Sequence, residues 1–514
     1  MAMNSPTVTC NTEARTLARE PLYTPLNTPG YNLQSPGRRT VLRNALSLWL
    51  GAAGAFTAPL SIPVSAGVAH AGNATTPNTT APPATVPNAG RLALLIGNGD
   101  YPVPHDLPPI AKNVMDLGEA LAFRGFDVTQ AMNLDESSLQ ATVTEFVKRV
   151  AAAPGDTVTL FYYAGHGLQV DSNNLLLGSG SNPTAPRKDL IARSLVLQQK
   201  LLAALPPRPQ ALNITVIDAC RTDLRNALGD GEGLNQVEAP LGSLVCFSTG
   251  AGRPAVSPAS ADQNTFYTAA LVRLLREAAG QVTFNDLFQL VKTEVQHTML
   301  NHPLAAIRQL AQNPFIADNT RVQVPLSWGG SNDQGKAEQP LPPAEQAAWE
   351  TIQNTDWPVD LLRLCNAFLA TYPDSAQAQT VGLLLAGAKE ALRILRSKEV
   401  KLFKTSFVIP PPVSQASSEQ LPHSQRTELM RAARGDKDAA ARIARLHRAL
   451  ETEQGLLRYV GWLQYASGLG NGIASYELAL YYREAAQPLL AAQAEARARQ
   501  LGYSPPRALG HERK

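Results

Sequence analysis

Cysteine is scarce in this 514-residue chain: there are four, at Cys10, Cys220, Cys246 and Cys365. They show neither a paired zinc spacing nor the density of a disulfide scaffold, which excludes a zinc-ribbon or cystine-stapled design. A dominant charge sign is also lacking, since 45 basic residues face 42 acidic ones for a formal net charge of +3. That balance provides no field to draw in nucleic acid, so no nucleic-acid partner is expected. The sequence contains no G-x-S-x-G elbow and no H-E-x-x-H helix, which removes two common hydrolase designs. His105, His297, His302, His423, His447 and His511 fall at no metal-ligand spacing, and there is no EF-hand loop. No metal and no cofactor are therefore expected, and calcium could act only through surface carboxylates. No apolar run is long enough for a comfortable bilayer span.

The chain does have length for several cores, roughly three units of ordinary domain size, and an apolar content of 44%, that of a globular protein. Residues from Ser35 read S-P-G-R-R-T-V-L-R, followed by an Ala/Leu/Gly-rich stretch from Ala45 to Leu60 and by Ala69-His70-Ala71 before Gly72. Basic, apolar and small-x-small segments in that order form a signal-peptide layout, and Arg38-Arg39 resembles the twin-arginine export signal of bacteria. The resemblance implies a periplasmic or secreted protein that meets the membrane only in transit; an uncleaved anchor is the alternative. Residues 72–89, poor in bulky apolar side chains, read as a disordered linker.

From 90 to 318 the pattern is that of an α/β domain. Leu92–Ile96, Val158–Tyr163, Asn213–Ile217 and Leu244–Phe247 are apolar strand-like runs, each ending at a turn-like segment: Gly97-Asn98-Gly99, Ala164-Gly165-His166-Gly167, Asp218-Ala219-Cys220-Arg221 and Ser248-Thr249-Gly250. Helical periodicity marks Ala111–Phe123, Thr265–Glu277 and Thr283–Leu300. Active groups of open α/β sheets gather at the carboxyl ends of the strands, and His166 and Cys220 are both assigned there. A polar linker at 319–343, a helical module at 344–400, a Pro-rich linker at 401–424 and a second helical module at 425–514 complete the expected organisation. Within the modules, Ala347–Leu369, Thr380–Ser397, Arg426–Leu450 and Leu456–Leu501 carry helical patterns.

Tyr162-Tyr-Ala-Gly-His-Gly167 and Val216-Ile-Asp-Ala-Cys-Arg221 together resemble the bacterial caspase-like peptidases, relatives of metacaspases. His166 and Cys220 are 54 residues apart, near the roughly 50-residue interval described for caspases. The likeness covers about Arg91–Ala317. It implies a caspase-like, mostly parallel sheet flanked by helices, and a cysteine endopeptidase in which Cys220 attacks and His166 moves the proton. It further implies an oxyanion hole from the backbone N–H groups of Gly167 and Cys220.

The metacaspase pattern also maps Asp116, Asp218 and Ala164 onto a substrate pocket, which implies cleavage after Arg or Lys, because buried carboxylates attract a cationic side chain and repel an anionic one. Ala164 stands where Ser is frequent, and Met115 where Asn is. Arg225, in a Gly/Asp/Asn-rich stretch from Thr222 to Pro240, is the candidate for self-cleavage. Cys246 and Cys365 read as packing residues. Gly435–Ala440 and Gly468–Ala479 resemble the turns of Sel1-like helical repeats, which implies protein partners for the tail. The rival to the peptidase reading is a catalytically silent caspase-like domain that binds, with the helical tail as scaffold.

Overall fold

Apolar runs that alternate with amphipathic stretches build a sheet covered by helices on both faces. The computed structural model describes residues 90–170, 173–183, 185–220, 236–250, 255–327, 341–408 and 421–503. The export-type segment, the linker before residue 90, Cys10 and Arg225 lie outside the described residues. In chain order come β1 (Arg91–Gly97), α1 (Ile110–Phe123), β2 (Asp127–Met132), α2 (Glu136–Ala152), β3 (Val158–Val170), β4 (Asn173–Leu177), α3 (Arg187–Ala192) and β5 (Ser194–Val196). A one-turn π-helix at Gln198–Leu202 leads to β6 (Asn213–Cys220), β7 (Ser243–Phe247), α4 (Phe266–Glu277), α5 (Phe284–Leu300), α6 (Ala305–Gln309) and β8 (Phe315–Asp318).

The main sheet has the order β2-β1-β3-β6-β7-β8, parallel except for β8. β4 and β5 form an antiparallel ribbon off β3. Alternate residues of each central strand feed two cores. Leu95, Tyr162 and Val216 meet α1, α4 and α5 on one face. Leu94, Phe161 and Ile217 meet α2 and the π-helix on the other. Burial on both sides is why these strands read as unbroken apolar runs, and each large side chain so buried contributes about 1.5–3 kcal/mol. The chain does not leave the domain at residue 319, where its composition turns linker-like. Leu326 is fully buried, and the Arg91 guanidinium donates to the carbonyls of Pro325, Leu326 and Ser327.

The tail is helical: α7 (Pro343–Gln353), α8 (Pro358–Thr371), α9 (Ala378–Leu395), a 3-10 turn at Lys404–Ser406, α10 (Leu421–Ala433), α11 (Lys437–Arg448), α12 (Glu453–Gly468), α13 (Gly472–Glu484) and α14 (Pro488–Gln500). The helical pattern over 347–369 is split at Trp357, which is extended (φ −123°, ψ 125°) because Pro358 follows it. Gly435 and Gly470 take φ of +82° and +103°, and Asp436 and Asn471 next to them cap α11 and α13. The same stop-and-restart device thus recurs at positions 436 and 471, 35 residues apart.

β8 is the last strand, and an uncovered edge would present unpaired backbone groups. The tail covers it. Asp438 accepts from the Asp318 N–H at 3.0 Å, Lys437 donates to the Ile316 carbonyl at 2.6 Å, and Arg442 donates to the Asp318 carbonyl at 2.8 Å. Arg431 donates to the Thr320 carbonyl at 2.7 Å. Glu428 and Asp436 hold these guanidinium groups in turn.

Candidate active site

β3 pairs with β6 from Thr159↔Asn213 to His166↔Cys220 and then leaves it, pairing with β4 from Gly167↔Leu176 onward. The strand expected to stop at Ala164 therefore continues to Val170, and His166 lies where it passes from the main sheet to the side ribbon. Glycine is required at that bend: a Cβ on Gly165 would stand 2.6 Å from the Tyr163 hydroxyl and 2.9 Å from that of Tyr101. The last rung of the β3–β6 ladder places positions 166 and 220 side by side, at the roughly 4.8 Å spacing of neighbouring strands.

The His166 ring is 5% exposed, with Nε2 2.7 Å from the carbonyl oxygen of His105. A carbonyl can only accept, so Nε2 carries the proton and the basic nitrogen of the neutral ring is Nδ1. Tyr101 stands edge-on to the imidazole, centroids 4.5 Å apart, and its hydroxyl accepts from the His166 backbone N–H at 3.2 Å. The Tyr163 hydroxyl is 3.0 Å from the His166 carbonyl and 2.7 Å from that of Leu177. The Asn98 side chain fastens the end of β1 to the same place, donating to the carbonyls of Leu134 and Leu177.

Two residues before the histidine–cysteine rung, Gly97, Ala164 and Asp218 align on three neighbouring strands. Asp218 is 1% exposed. Its Oδ2 accepts from the hydroxyls of Thr265 and Thr268 and, at 3.4 Å, from Tyr162. Burial nevertheless raises its pKa above the ordinary carboxylate value. Thr265 also caps α4 and exchanges two hydrogen bonds with the Asn113 amide, both 3.1 Å. Asp116 lies one helical turn from Asn113, half-buried, and is paired with Lys112 at 2.8 Å. Asn113 and Thr265 thus link α1 to Asp218, while Asp116 pairs with Lys112 on its own helix.

The structure thus brings His166, Gly167, Cys220, Asp218 and Ala164 to one end of β3 and β6, and sets Asp116 on α1, paired with Lys112. Tyr101, the His105 carbonyl, Thr265 and Thr268 complete the surroundings. A threonine before a helical run is a readable cap, but a backbone carbonyl has no side-chain signature, and His105 read as ordinary for that reason. Cys246 and Cys365 are buried, and burial pushes both thiols up, Cys365 to about 11, so neither ionises near neutral pH. Among the described residues no group of three or more His, Cys, Asp or Glu could hold a metal ion, and no helix is long and apolar enough to cross a membrane.

An open, mostly parallel α/β sheet with polar groups gathered beyond its carboxyl ends defines the class of protein here. Residues 90–324 match the model of the peptidase family described as the Caspase domain. No curated protein matches the chain. Among solved structures it is similar to the crystal structure of caspase-1 from Spodoptera frugiperda, at 17% identity and a TM-score of 0.34, over 47% of this chain and 92% of that one.

Proposed function

We propose that the chain is an exported cysteine endopeptidase that hydrolyses peptide bonds after Arg or Lys. What carries this reading is the pairing of His166 with Cys220 at the last rung of the ladder, with the imidazole tethered through Nε2. In the proposed reaction Nδ1 takes the thiol proton and the sulfur attacks the scissile carbonyl carbon. The C–N bond then breaks as His166 returns the proton to the leaving amine. Water, deprotonated by the same nitrogen, displaces the sulfur and releases the acid. The backbone N–H groups of Gly167 and Cys220 are the proposed donors to the tetrahedral oxyanion.

Asp218, Asp116 and Ala164 form the proposed pocket for the cationic side chain, which competes with Lys112 for Asp116. Cutting at Arg225 would let such an enzyme process itself, and no cofactor is required. Export through the twin-arginine-type segment, and protein partners for the Sel1-like tail, belong to the same proposal. A P1-varied peptide library, run on wild type beside Cys220→Ala, tests it. The expected result is turnover after Arg and then Lys that vanishes in the variant. Turnover after Asp would overturn the pocket assignment, and peptide binding without turnover would favour the silent binding domain.

A further inference from the structure

The chain returns to described positions at Gln236, sixteen residues beyond Cys220, and enters β7 at Ser243. In between, side chains alternate. Val237 and Ala239 are buried in the core under the sheet, beside Phe247 and Ala317. Gln236 and Glu238 face the other way, toward the tail. The Gln236 side-chain oxygen accepts from the Gly472 N–H at 2.9 Å, and its amide nitrogen donates to the Gly470 carbonyl at 3.4 Å. The Gln236 backbone N–H donates to the Gly502 carbonyl at 3.0 Å. Glu238 pairs with Arg445 at 2.6 Å, and Arg445 is shared with Glu477.

Gln236 is 9% exposed, and its three bonds meet the turn between α12 and α13, the first residue of α13 and the turn after α14. Those are helix-terminal groups that have no partner within their own helices. Glu238 is more than half exposed, so its ion pair adds little by comparison. The tail leaves no spare room at the contact: a Cβ on Gly472 would lie 2.8 Å from the Gln236 oxygen and 2.9 Å from the Tyr503 Cβ.

We propose that Gln236 is a positioning residue for the peptidase site, with the helical tail as the clamp that fixes where the chain downstream of Cys220 rejoins the sheet. The proposal rests on the peptidase reading. The tail then acts in cis on the catalytic domain, through a contact made by neither His166 nor Cys220.

Two variants approach the contact from opposite sides in the full-length chain. Gln236→Ala removes both side-chain bonds. Gly472→Ala displaces the same amide from within the tail, while alanine at that helical position is by itself the better helix former. Two readouts are taken: amide exchange over 236–242, and kcat separately from KM on an Arg peptide. Both variants are expected to raise exchange about tenfold and to lower kcat several-fold with a smaller change in KM. Gln236→Glu, which keeps the acceptor for the Gly472 N–H at a helix N-terminus, is expected to restore most of both.

Unchanged exchange would overturn the clamp, and raised exchange with unchanged kcat would overturn its link to the site. If wild type shows no turnover, the peptidase reading fails by itself. The clamp is then read from exchange, and its link to the site from the alkylation rate of Cys220, which an intact link makes differ between wild type and Gln236→Ala.

Discussion

The tether from His166 Nε2 to a backbone carbonyl does chemical work that a side-chain partner would also do: it chooses the tautomer and aims the ring. Its upkeep falls to Gly165 and the two tyrosines. Gly165→Ala must push the hydroxyls of Tyr101 and Tyr163 aside, so kcat should fall by at least tenfold and stability by about 1–3 kcal/mol, the range for overpacking. Kinetics together with urea unfolding would check both. Lys112→Met should free the Asp116 carboxylate and lower KM for Arg peptides about two- to fivefold, as expected for a partly exposed pair worth up to ~1 kcal/mol; an unchanged KM would place Asp116 outside the pocket. His166 and Cys220 could be singled out as candidates because histidine and cysteine stand out as residue types at a known interval. The His105 carbonyl and the Tyr101 hydroxyl act through a fold-dependent approach across more than sixty residues, and no local pattern encodes that.

At the level of elements, the central strands β1, β3, β6 and β7 could be read because burial on both faces leaves continuous apolar runs. β2, β4, β5 and β8 could not: they are short, and β2 is largely exposed and polar at the sheet edge. The continuation of β3 past Ala164 was hidden for a different reason, since two glycines that read as a turn are here a bend between two pairings. The β8 edge carries its own prediction. Arg442→Ala strips a guanidinium from both the Asp318 carbonyl and buried Glu428, and should destabilise the protein by about 2–4 kcal/mol, less than the full loss of a buried pair because Arg321 still meets Glu428. The freed strand edge should also promote association, visible as larger species in sedimentation velocity; a variant as stable and as monodisperse as wild type would contradict this account.

Across the whole molecule, the tail and the α/β domain share a boundary built from charged side chains on backbone groups, which composition alone reads as a solvated helix surface. Within the tail, the buried His447 ring is pushed down to about 4, first by desolvation and then by Arg458. Between pH 6.5 and about 4 the unfolded chain binds a proton there that the folded protein does not. Stability is therefore retained above about 6.5 and lost as pH falls through that window, by an amount on the order of 3 kcal/mol. A His447→Gln variant should show a flatter fall in thermal stability over the same range. The central claim, however, is that an imidazole on β3 sets the ionisation of the thiol on β6. Its most direct test is the pH dependence of Cys220 alkylation, mapped by mass spectrometry, in wild type and His166→Ala. The account predicts a wild-type midpoint well below the roughly 8.5 of a free thiol and a return to or above that value in the variant; identical profiles in the two proteins would contradict it.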